Sequence, residues 1–429
     1  MARLGAFCFP GTGHINPMTA LARRLEQRGH RVVIFGIADC ESRVRAAGID
    51  FHQIGALDYQ PGTLAALDRR LGELHGLATF RFTADRVKNT ARMVLRDSPA
   101  AVLAEHCDAL LCDEADMGST VAEHLRLPFV SIAFFPPLIQ DDRIPPFCFP
   151  WRSGTGSLGR LRNRLGFRLL SHFAAPIYKV VNEQRATWGL PPTKRATDAL
   201  SPLAQITQLP RALEFDIPNL PPNLHYTGPF VDARQRPPID FPWDELNGRP
   251  LVYASLGTLQ NGAKDVFRTI AEACAPLGCQ LVLSLGGGLS PDCFPDLPGS
   301  PIVVGYAPQL ELLKRASVCI THAGLNTVLE SLAEGVPLVA LPLGNDQPGV
   351  AARLHARGAG LVIPRSGLSV SRLRTAVRAA LIDPHYRTAA QIIQSAIHST
   401  DALDMAADIL EQSLRLTGTS QPLPKEIFA

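Results

Sequence analysis

The stretch Val318-Cys-Ile-Thr-His-Ala-Gly-Leu-Asn-Thr-Val-Leu-Glu330 has the pattern of a strand, a tight turn and a helix. Its apolar start is typical of a buried strand, and the turn from His322 to Gly324 opens a helical pattern. Free N–H groups at the start of a helix attract anions, so this turn suits a diphosphate. Asn326 and Glu330 are four residues apart and share one helix face. Glu330 is thereby placed to accept hydrogen bonds from ribose hydroxyls.

The alternation of strands and helices extends in both directions from this stretch. Strands are predicted at 4–9, 31–35, 109–112, 129–132, 251–255, 280–284, 302–304, 318–320 and 338–341. Helices are predicted at 15–28, 266–275, 309–315, 325–334 and 350–357. Buried strands separated by helices indicate parallel βαβ units with helices on both faces of a sheet. The pattern stops and restarts, which predicts an α/β protein of two Rossmann-like domains.

A proline-rich segment, Asp216–Trp243, separates the two halves. Proline fixes φ and donates no hydrogen bond to a sheet, so we expect a semi-rigid linker without a strand. The boundary near residue 235 gives an N-terminal domain of residues 1–235 and a C-terminal domain of residues 236–400. Residues 401–429 are predicted to form a final helix and tail, and the last helix can cross back to the first domain.

Composition narrows the classes of function. The 429 residues are 46% hydrophobic and 19% charged, which excludes a disordered chain, and a net charge of +3 gives no argument for nucleic-acid binding. No apolar run reaches the ~18 residues of a membrane span, and no secretory signal precedes the first strand. We therefore expect a soluble, cytoplasmic protein. The nine cysteines lack zinc-site spacing and are expected to be reduced.

Two residues of the first half could activate a hydroxyl group. The loop Pro10-Gly-Thr-Gly-His-Ile-Asn-Pro17 leaves the first strand, so His14 would lie where open α/β sheets bind ligands and could act as a general base. Asp113 follows a neighbouring strand and could fix the tautomer of that imidazole. A histidine that only caps the loop, and a solvated loop carboxylate, are the alternatives.

Polar residues also follow other strands of the second half. Ser255, Gly257 and Thr258 end its first strand and could contact phosphate. After a later strand, Asp346 and Gln347 provide an acid and an amide, which suit the vicinal hydroxyls of a sugar.

These motifs resemble those of the family 1 glycosyltransferases, whose GT-B fold has two Rossmann-like domains facing each other across a cleft. Tyr306–Gln347 resembles the family's nucleotide-sugar signature, and the loop at 10–17 its Gly-x-Gly-His-x-Asn-Pro motif. The family includes bacterial macrolide glycosyltransferases. The stretches 201–209, 253–260 and 346–353 are most similar to bacterial zeaxanthin (carotenoid) glucosyltransferases.

The resemblance implies a role for each candidate residue. His14 becomes the catalytic base and Asp113 its partner. The implied donor site consists of Ser255, Gly257, Thr258, Tyr306, Ala307, Gln309, His322, Gly324, Asn326, Thr327, Glu330, Asp346 and Gln347. The residues expected to hold the diphosphate are His322, Gly324 and Thr327. Tyr306 and Gln309 would hold uracil, Glu330 the ribose, and the Asp346–Gln347 pair the sugar, which favours UDP-glucose.

The implied reaction is an inverting transfer of glucose to an acceptor hydroxyl. The sequence contains no convincing Asp-x-Asp metal motif, so we expect no metal ion and no cofactor besides the sugar nucleotide, with the helix N-terminus stabilising the leaving diphosphate. The alternatives are a nucleoside-diphosphate-sugar epimerase of the same fold, an NAD(P) oxidoreductase, for which the glycine motif is incomplete, and a non-catalytic binding module.

Apolar, aromatic-rich loops of the first domain predict a hydrophobic acceptor. The candidate acceptor contacts are Phe82, Phe134, Phe135, Phe147, Phe149 and Trp151. Ordinary core lining is the alternative. A carotenoid such as zeaxanthin is the first expectation from the resemblance, with flavonoid, polyketide and sterol acceptors also open.

The segment from Arg143 to Asn182 contains no acidic residue. Within it, leucines and arginines each recur every four residues, at Arg160, Arg164, Arg168, Leu161, Leu165 and Leu169. On a helix this gives an apolar stripe beside a basic one, which is typical of an interfacial membrane contact. We hypothesise a peripheral contact with the inner face of the membrane through residues 158–173. A surface helix packed on its own domain is the alternative.

Overall fold

The computed structural model describes residues 1–74, 77–154, 156–217, 219–232, 234, 238–258 and 263–416. The first half contains β1 (Arg3–Phe7), α1 (Thr12–Gln27), β2 (Arg31–Gly36), α2 (Ala38–Ala46), β3 (Asp50–Gln53), α3 (Thr63–Glu73), α4 (Leu77–Ala104), β4 (Ala109–Asp113), α5 (Gly118–Leu125), β5 (Phe129–Ala133), α6 (Ser157–Thr187), β6 (Gln205–Thr207) and β7 (Leu224–Tyr226).

The second half repeats the alternation. It contains β8 (Leu251–Ser255), α7 (Lys264–Cys274), β9 (Gln280–Ser284), β10 (Ile302–Val304), α8 (Gln309–Leu313), β11 (Ala316–Thr321), α9 (Leu325–Ala333), β12 (Leu338–Ala340), α10 (Gln347–Ala356), β13 (Gly360–Val362), α11 (Val370–Ile382), α12 (Pro384–His398) and α13 (Ala402–Ser413).

The strands form two separate parallel sheets. The first has the order β3-β2-β1-β4-β5-β6-β7 and the second the order β10-β9-β8-β11-β12-β13. In each sheet the strand order reverses beside the first strand, between β1 and β4 and between β8 and β11. At such a point the loops that leave the carboxyl ends of the two strands go to opposite faces of the sheet and leave a crevice for ligands. The predicted fold of two Rossmann-like domains is therefore confirmed.

The strands are buried because helices cover both faces of each sheet. Every residue of β4, β5, β8 and β9 is buried, as expected for continuous apolar runs in parallel sheets. None of the nine cysteines forms a disulfide bond, as predicted. Among the helices of the described residues, none is long and apolar enough to cross a membrane.

The prediction of a strand-free linker is wrong for one short segment. Leu224–Tyr226 forms β7, which lies at the edge of the first sheet and, among the described strands, pairs with β6 alone, with Gln205 opposite Leu224. This tripeptide contains no proline, and a strand at the sheet edge needs hydrogen bonds on one side only. The first sheet ends at Tyr226 and the second begins at Leu251. The domain boundary near residue 235 lies outside the described residues and stays a prediction.

The last helix returns to the first domain, as expected. Apolar residues of α13, among them Leu403, Ala406 and Leu410, belong to the same buried core as β1 and α1. On the surface of this contact, Arg28, the residue after α1, binds Asp408 of α13 at 2.6 Å. Residues 417–429, the end of the predicted tail, lie outside the described residues.

Candidate active site

His14 and Asp113 meet at the carboxyl edge of the first sheet. Asp113 is the last residue of β4, and His14 lies in the first turn of α1, which follows β1. Because β1 and β4 are neighbours, the two side chains converge, with Nδ1 of His14 2.6 Å from Oδ2 of Asp113. Asp113 is 1% exposed, and it also accepts the backbone N–H groups of Phe9 at 3.0 Å and Ala115 at 2.9 Å. The backbone thus fixes the carboxylate that orients the imidazole.

This contact leaves the other ring nitrogen available for chemistry. A carboxylate only accepts hydrogen bonds, so Nδ1 of His14 carries the proton and Nε2 is the basic nitrogen. Burial lowers the pKa of His14, but the carboxylates of Asp113, Asp346 and Asp116 raise it, and the net pKa lies above the usual 6.5. The rings packed around the imidazole are those of Phe9, Phe134 and Phe135.

The His14–Asp113 pair lines a cleft of about 1160 Å³ whose walls come from both domains. All thirteen predicted donor residues also line this cleft. They follow β8, β10, β11 and β12, and Ser255 at the end of β8 lies opposite Thr321 at the end of β11. Residues from strand ends that are far apart in the sequence therefore share one crevice.

The turn before α9 is built around the ring of His322. A Cβ atom added to Gly257 would lie 2.5 Å from Cε1 of His322, and one added to Gly324 would lie 2.5 Å from Nε2. Gly257 also has φ of +74°, a conformation that favours glycine. Burial lowers the pKa of His322 to about 4, so the ring is neutral and contributes a hydrogen bond rather than a positive charge.

A second group of contacts fixes the side chains that were predicted to contact the nucleoside. The hydroxyl of Tyr253 donates to Oε1 of Gln309 at 3.0 Å, and Nε2 of Gln309 donates to the carboxylate of Glu330. Glu330 is buried in α9, one turn beyond the helix start. The ring of Tyr306 is half-exposed and rests against the backbone of Gly287. The cleft therefore presents an aromatic face, an amide and a carboxylate in sequence.

Asn326 connects α9 to the start of α1. Its Nδ2 donates to the carbonyl oxygen of Gly13 at 3.0 Å, and its Oδ1 accepts from Nε2 of Gln208 at 2.8 Å. Gln208, which the sequence analysis did not single out, follows the short strand β6. A correct prediction of β6 would have marked Gln208 as a strand-end polar residue. Asn326 thus lies at the donor side but contacts the first domain.

Asp346 and Gln347 lie at the start of α10. Burial raises the pKa of Asp346 to about 6. Oε1 of Gln347 accepts the backbone N–H groups of Leu343 at 2.8 Å and Gly344 at 3.0 Å, which fixes the loop that carries Asp346 into the cleft.

Three of the six predicted acceptor residues, Phe134, Phe135 and Phe147, line the cleft, and the other three do not. Phe149 and Trp151 instead pack on each other with ring centroids 4.5 Å apart, and the guanidinium of Arg162 covers Trp151. Phe82 is two residues from Phe80 on α4, and such residues point to different sides of a helix. Phe80 takes the position at the cleft.

The sequence analysis missed the main apolar wall, which comes from α6. The cleft-lining residues of this helix include Phe167, Leu170, Phe173, Ala174, Ile177 and Val181. Phe173 also contacts Phe80 with ring centroids 5.0 Å apart. The i, i+3, i+4 spacing of these residues is the signal that could have identified this face.

Known proteins share both the sequence and the fold of this chain. Residues 77–421 match the family described as UDP-glucoronosyl and UDP-glucosyl transferase, and residues 9–138 match the N-terminal domain of glycosyltransferase family 28. The chain is 31% identical to a zeaxanthin glucosyltransferase of Pantoea ananas, over 99% of this chain and 98% of that protein. It is 33% identical to a zeaxanthin glucosyltransferase of Pseudescherichia vulneris, over 83% and 84% of the two chains.

Solved structures show the same architecture. The crystal structure of the glycotransferase of kitacinnamycin superposes with a TM-score of 0.74 at 22% identity, over 96% of this chain and 98% of that one. At that identity the likeness shows the fold alone. Together with the family match over most of the sequence, it identifies the chain as a member of family 1 of the glycosyltransferases, the UDP-glycosyltransferases of GT-B fold.

Proposed function

We propose that this glycosyltransferase moves glucose from UDP-glucose to a hydroxyl group of a hydrophobic small molecule, with a carotenoid such as zeaxanthin as the first candidate acceptor. The observation that carries the proposal is the position of the His14–Asp113 pair, in one cleft with both a helix N-terminus suited to a diphosphate and an apolar wall. Two relatives named zeaxanthin glucosyltransferase support the choice of acceptor.

In the proposed reaction His14 acts as the general base. Its Nε2 takes the proton of the acceptor hydroxyl while the hydroxyl oxygen attacks C1 of the glucose. The bond from C1 to the diphosphate breaks on the opposite side, so the α-linked sugar becomes a β-glycoside. Asp113 holds the proton on Nδ1 and stabilises the imidazolium that forms. The rings around His14 leave its side chain only 20% exposed, and this partial burial strengthens that electrostatic contribution.

The departing diphosphate is stabilised by the first N–H groups of α9 after Gly324. This arrangement supports a transfer that needs no metal ion. Burial lowers the pKa of His322 to about 4, so in this proposal the ring contributes a hydrogen bond and the N–H groups at the start of α9 contribute positive potential.

The donor-side contacts support UDP-glucose as the co-substrate. The half-exposed ring of Tyr306 offers a surface on which a nucleobase stacks. Gln309 is held by neighbouring side chains with its amide beside Glu330, the candidate ribose contact. Asp346 and Gln347 follow β12 at the cleft and provide the polar groups for the glucose hydroxyls.

A donor and acceptor panel tests the proposal. UDP-glucose and dTDP-glucose are each incubated with zeaxanthin, a flavonoid, an aromatic polyketide and a sterol, with and without EDTA, and products are read by mass spectrometry. We expect a hexose increment on zeaxanthin with UDP-glucose that EDTA does not reduce. Transfer to another acceptor alone would overturn the carotenoid assignment, and a preference for dTDP-glucose would overturn that of the donor. Release of an epimerised free sugar without any acceptor would favour the epimerase.

A further inference from the structure

Helix α6 forms a wall between the cleft and the solvent, and its outer face is unusually apolar. The inner face lines the cleft with Phe167, Leu170 and Phe173. The outer face carries leucines that are strongly or about half exposed: Leu158 is 82% exposed, and Leu161, Leu165 and Leu169 are 48% to 53% exposed. One helix thus has apolar residues on two opposite sides, and packing within the domain accounts for only one of them.

The exposed leucines form one stripe. Successive members are three or four residues apart, so they lie above one another on the helix surface. Within the part of the chain that the structure describes, eleven large apolar side chains are strongly exposed, and four of them are these leucines. Single exposed leucines need no explanation, but a contiguous apolar stripe on a surface marks an interaction site.

Basic residues flank the stripe. Arg160, Arg164 and Arg168 recur every four residues on the adjacent side of α6 and are all exposed. Asp142 contacts the first two, at 2.8 Å from Arg160 and 3.6 Å from Arg164, and both arginine side chains remain about half-exposed to solvent. Lys179 lies further along the exposed side of the helix. This face of α6 therefore combines exposed apolar side chains with a net positive charge.

We propose that this leucine–arginine face of α6, residues 158–169, binds the surface of an anionic lipid bilayer. The leucines enter the boundary between headgroups and acyl chains, and the arginines contact lipid phosphates. The positive charge and the absence of acidic residues on this helix from Ser157 to Asn182 match an anionic surface, and the lengthwise stripe of leucines suits a lipid layer into which apolar side chains can insert. Since the opposite face of α6 lines the cleft, docking brings the apolar wall within one helix diameter of the lipid.

The inference rests on the proposed function in one respect, because a lipid-dissolved acceptor would then reach the cleft beside α6. The binding itself is independent of catalysis. A flotation assay measures it directly, with vesicles of phosphatidylcholine alone and of equal parts phosphatidylcholine and phosphatidylglycerol at low salt. We expect the full-length protein to float with the anionic vesicles and to stay largely unbound with the neutral ones.

Two pairs of substitutions separate the contribution of the arginines to vesicle binding from that of the leucines. Arg164→Gln combined with Arg168→Gln removes two charges, which at about fivefold per basic residue lowers the partition coefficient by roughly 30-fold. Leu161→Gln combined with Leu165→Gln lowers it at least tenfold, because two half-exposed leucines no longer insert. Both pairs lie on the solvent side of the helix, so circular dichroism should report an unchanged fold.

Matched control variants carry the same changes elsewhere on the surface. Ile382 and Ile392 are also strongly exposed but lie in the second domain, and Arg378 is an exposed arginine of α11. Their replacement by glutamine should leave flotation unchanged. If the wild-type protein does not float, or if the control variants lose binding as much as the α6 variants, the proposal is overturned. A wild-type dimer that the leucine variant converts to a monomer, without vesicle binding, would instead assign the face to a second copy of this chain.

A kinetic comparison keeps this inference distinct from the proposed function. The leucine variant should turn over an acceptor dissolved in detergent as fast as the wild type, and an acceptor embedded in anionic vesicles at least tenfold more slowly. Equal rates in vesicles would contradict the membrane contact while leaving the proposed transfer intact. A wild-type protein that floats but transfers no sugar to any acceptor would contradict the proposed transfer alone.

Discussion

Replacement of Asp113 by asparagine preserves the shape of the side chain and removes its charge. Asp113 accepts three hydrogen bonds, two at Oδ2 and one at Oδ1. An asparagine offers one oxygen. If that oxygen faces His14, the amide NH2 meets the backbone N–H of Ala115, and two opposed donors cost about 1–3 kcal/mol. If the amide turns over, its NH2 faces Nδ1 of His14 and moves the ring proton to Nε2, the nitrogen that must act as base.

The magnitude follows from the charge that is lost. Nδ1 of His14 and Oδ2 of Asp113 are 2.6 Å apart, so the centres of the delocalised charges are about 4 Å apart. At an effective dielectric constant of ~20, unit charges at that distance interact by about 4 kcal/mol. At ~1.36 kcal/mol per tenfold change in rate, Asp113→Asn should lower kcat about 10³-fold. Donor affinity should be unchanged, because the donor residues belong to the second domain.

The pH–rate profile provides an independent readout of the same substitution. The proposed reaction needs an unprotonated His14, so kcat/KM of the wild type should fall as pH decreases through the pKa of His14. Burial lowers that pKa and the carboxylates of Asp113, Asp346 and Asp116 raise it, with a net pKa above 6.5. Loss of the Asp113 charge lowers the pKa, so the acidic limb of the variant should move to lower pH. Initial rates across pH ~5 to ~9 measure the shift.

Two control variants complete the experiment. Asp108→Asn changes an aspartate that lies just before the amino end of β4, far from the cleft, and should alter kcat by less than threefold. Asp113→Asn in a His14→Ala background should cause little further loss, since the two residues act as one unit. A folded Asp113→Asn protein with nearly wild-type kcat, or with an unshifted acidic limb, would refute the assignment.

Three further substitutions test other parts of the structure. Gly257→Ala should raise the KM for the donor at least tenfold in steady-state assays. The new Cβ displaces the His322 ring, and a left-handed backbone at a residue other than glycine costs about 1–3 kcal/mol. An unchanged KM would show that the position of the His322 ring does not matter for donor binding. Asn326→Ala should lower kcat about tenfold with a smaller effect on donor binding, measured by calorimetry, because its side chain contacts Gly13 and Gln208 of the first domain. A loss of donor binding with an unchanged kcat would contradict this. Glu214→Gln should destabilise the protein by about 3–5 kcal/mol in thermal unfolding, because it leaves Arg353, its partner across the two domains at 2.7 Å, charged and buried. Replacement of Glu214 by leucine together with Arg353 by methionine should recover most of the lost stability. A double variant that is less stable than Glu214→Gln would argue against an unpaired buried charge as the cause.

Sequence patterns predicted the strongly apolar strands well and the short, more polar ones poorly. The bounds of β8 and β9 agree with the predicted ranges because each contains a run of at least three apolar residues, and β10 was predicted at three residues because all of them are apolar. β6, β7 and β13 also have three residues each, but each includes a polar residue or glycine, so the pattern cannot be distinguished from that of a loop. Their pairing depends on the neighbouring strand rather than on their own residues. β3 begins and ends with exposed polar residues at a sheet edge and carries no continuous apolar run.

The sequence identified those cleft-lining residues that directly follow the ends of strands. All thirteen donor candidates and the His14–Asp113 pair line one cleft, because parallel strands direct their carboxyl ends to the same side. The acceptor side was predicted less well. Which of two aromatic residues on a helix faces the cleft depends on helix register, and this separates Phe80 from Phe82. Whether an aromatic loop faces a ligand or its own domain depends on neighbours such as Arg162.

The return of α13 to the first domain has a consequence for synthesis on the ribosome. The core around β1 includes residues 402–414, so this domain lacks part of its interior while about 170 further residues are translated. At ~5–20 residues per second, that interval lasts roughly 10–30 s. During it, the nascent chain exposes the apolar surface of α1 that Leu403 and Leu410 later cover. A chaperone that binds apolar segments would therefore engage this polypeptide before its release, and a nonsense codon shortly before residue 402 should yield aggregates rather than a folded half.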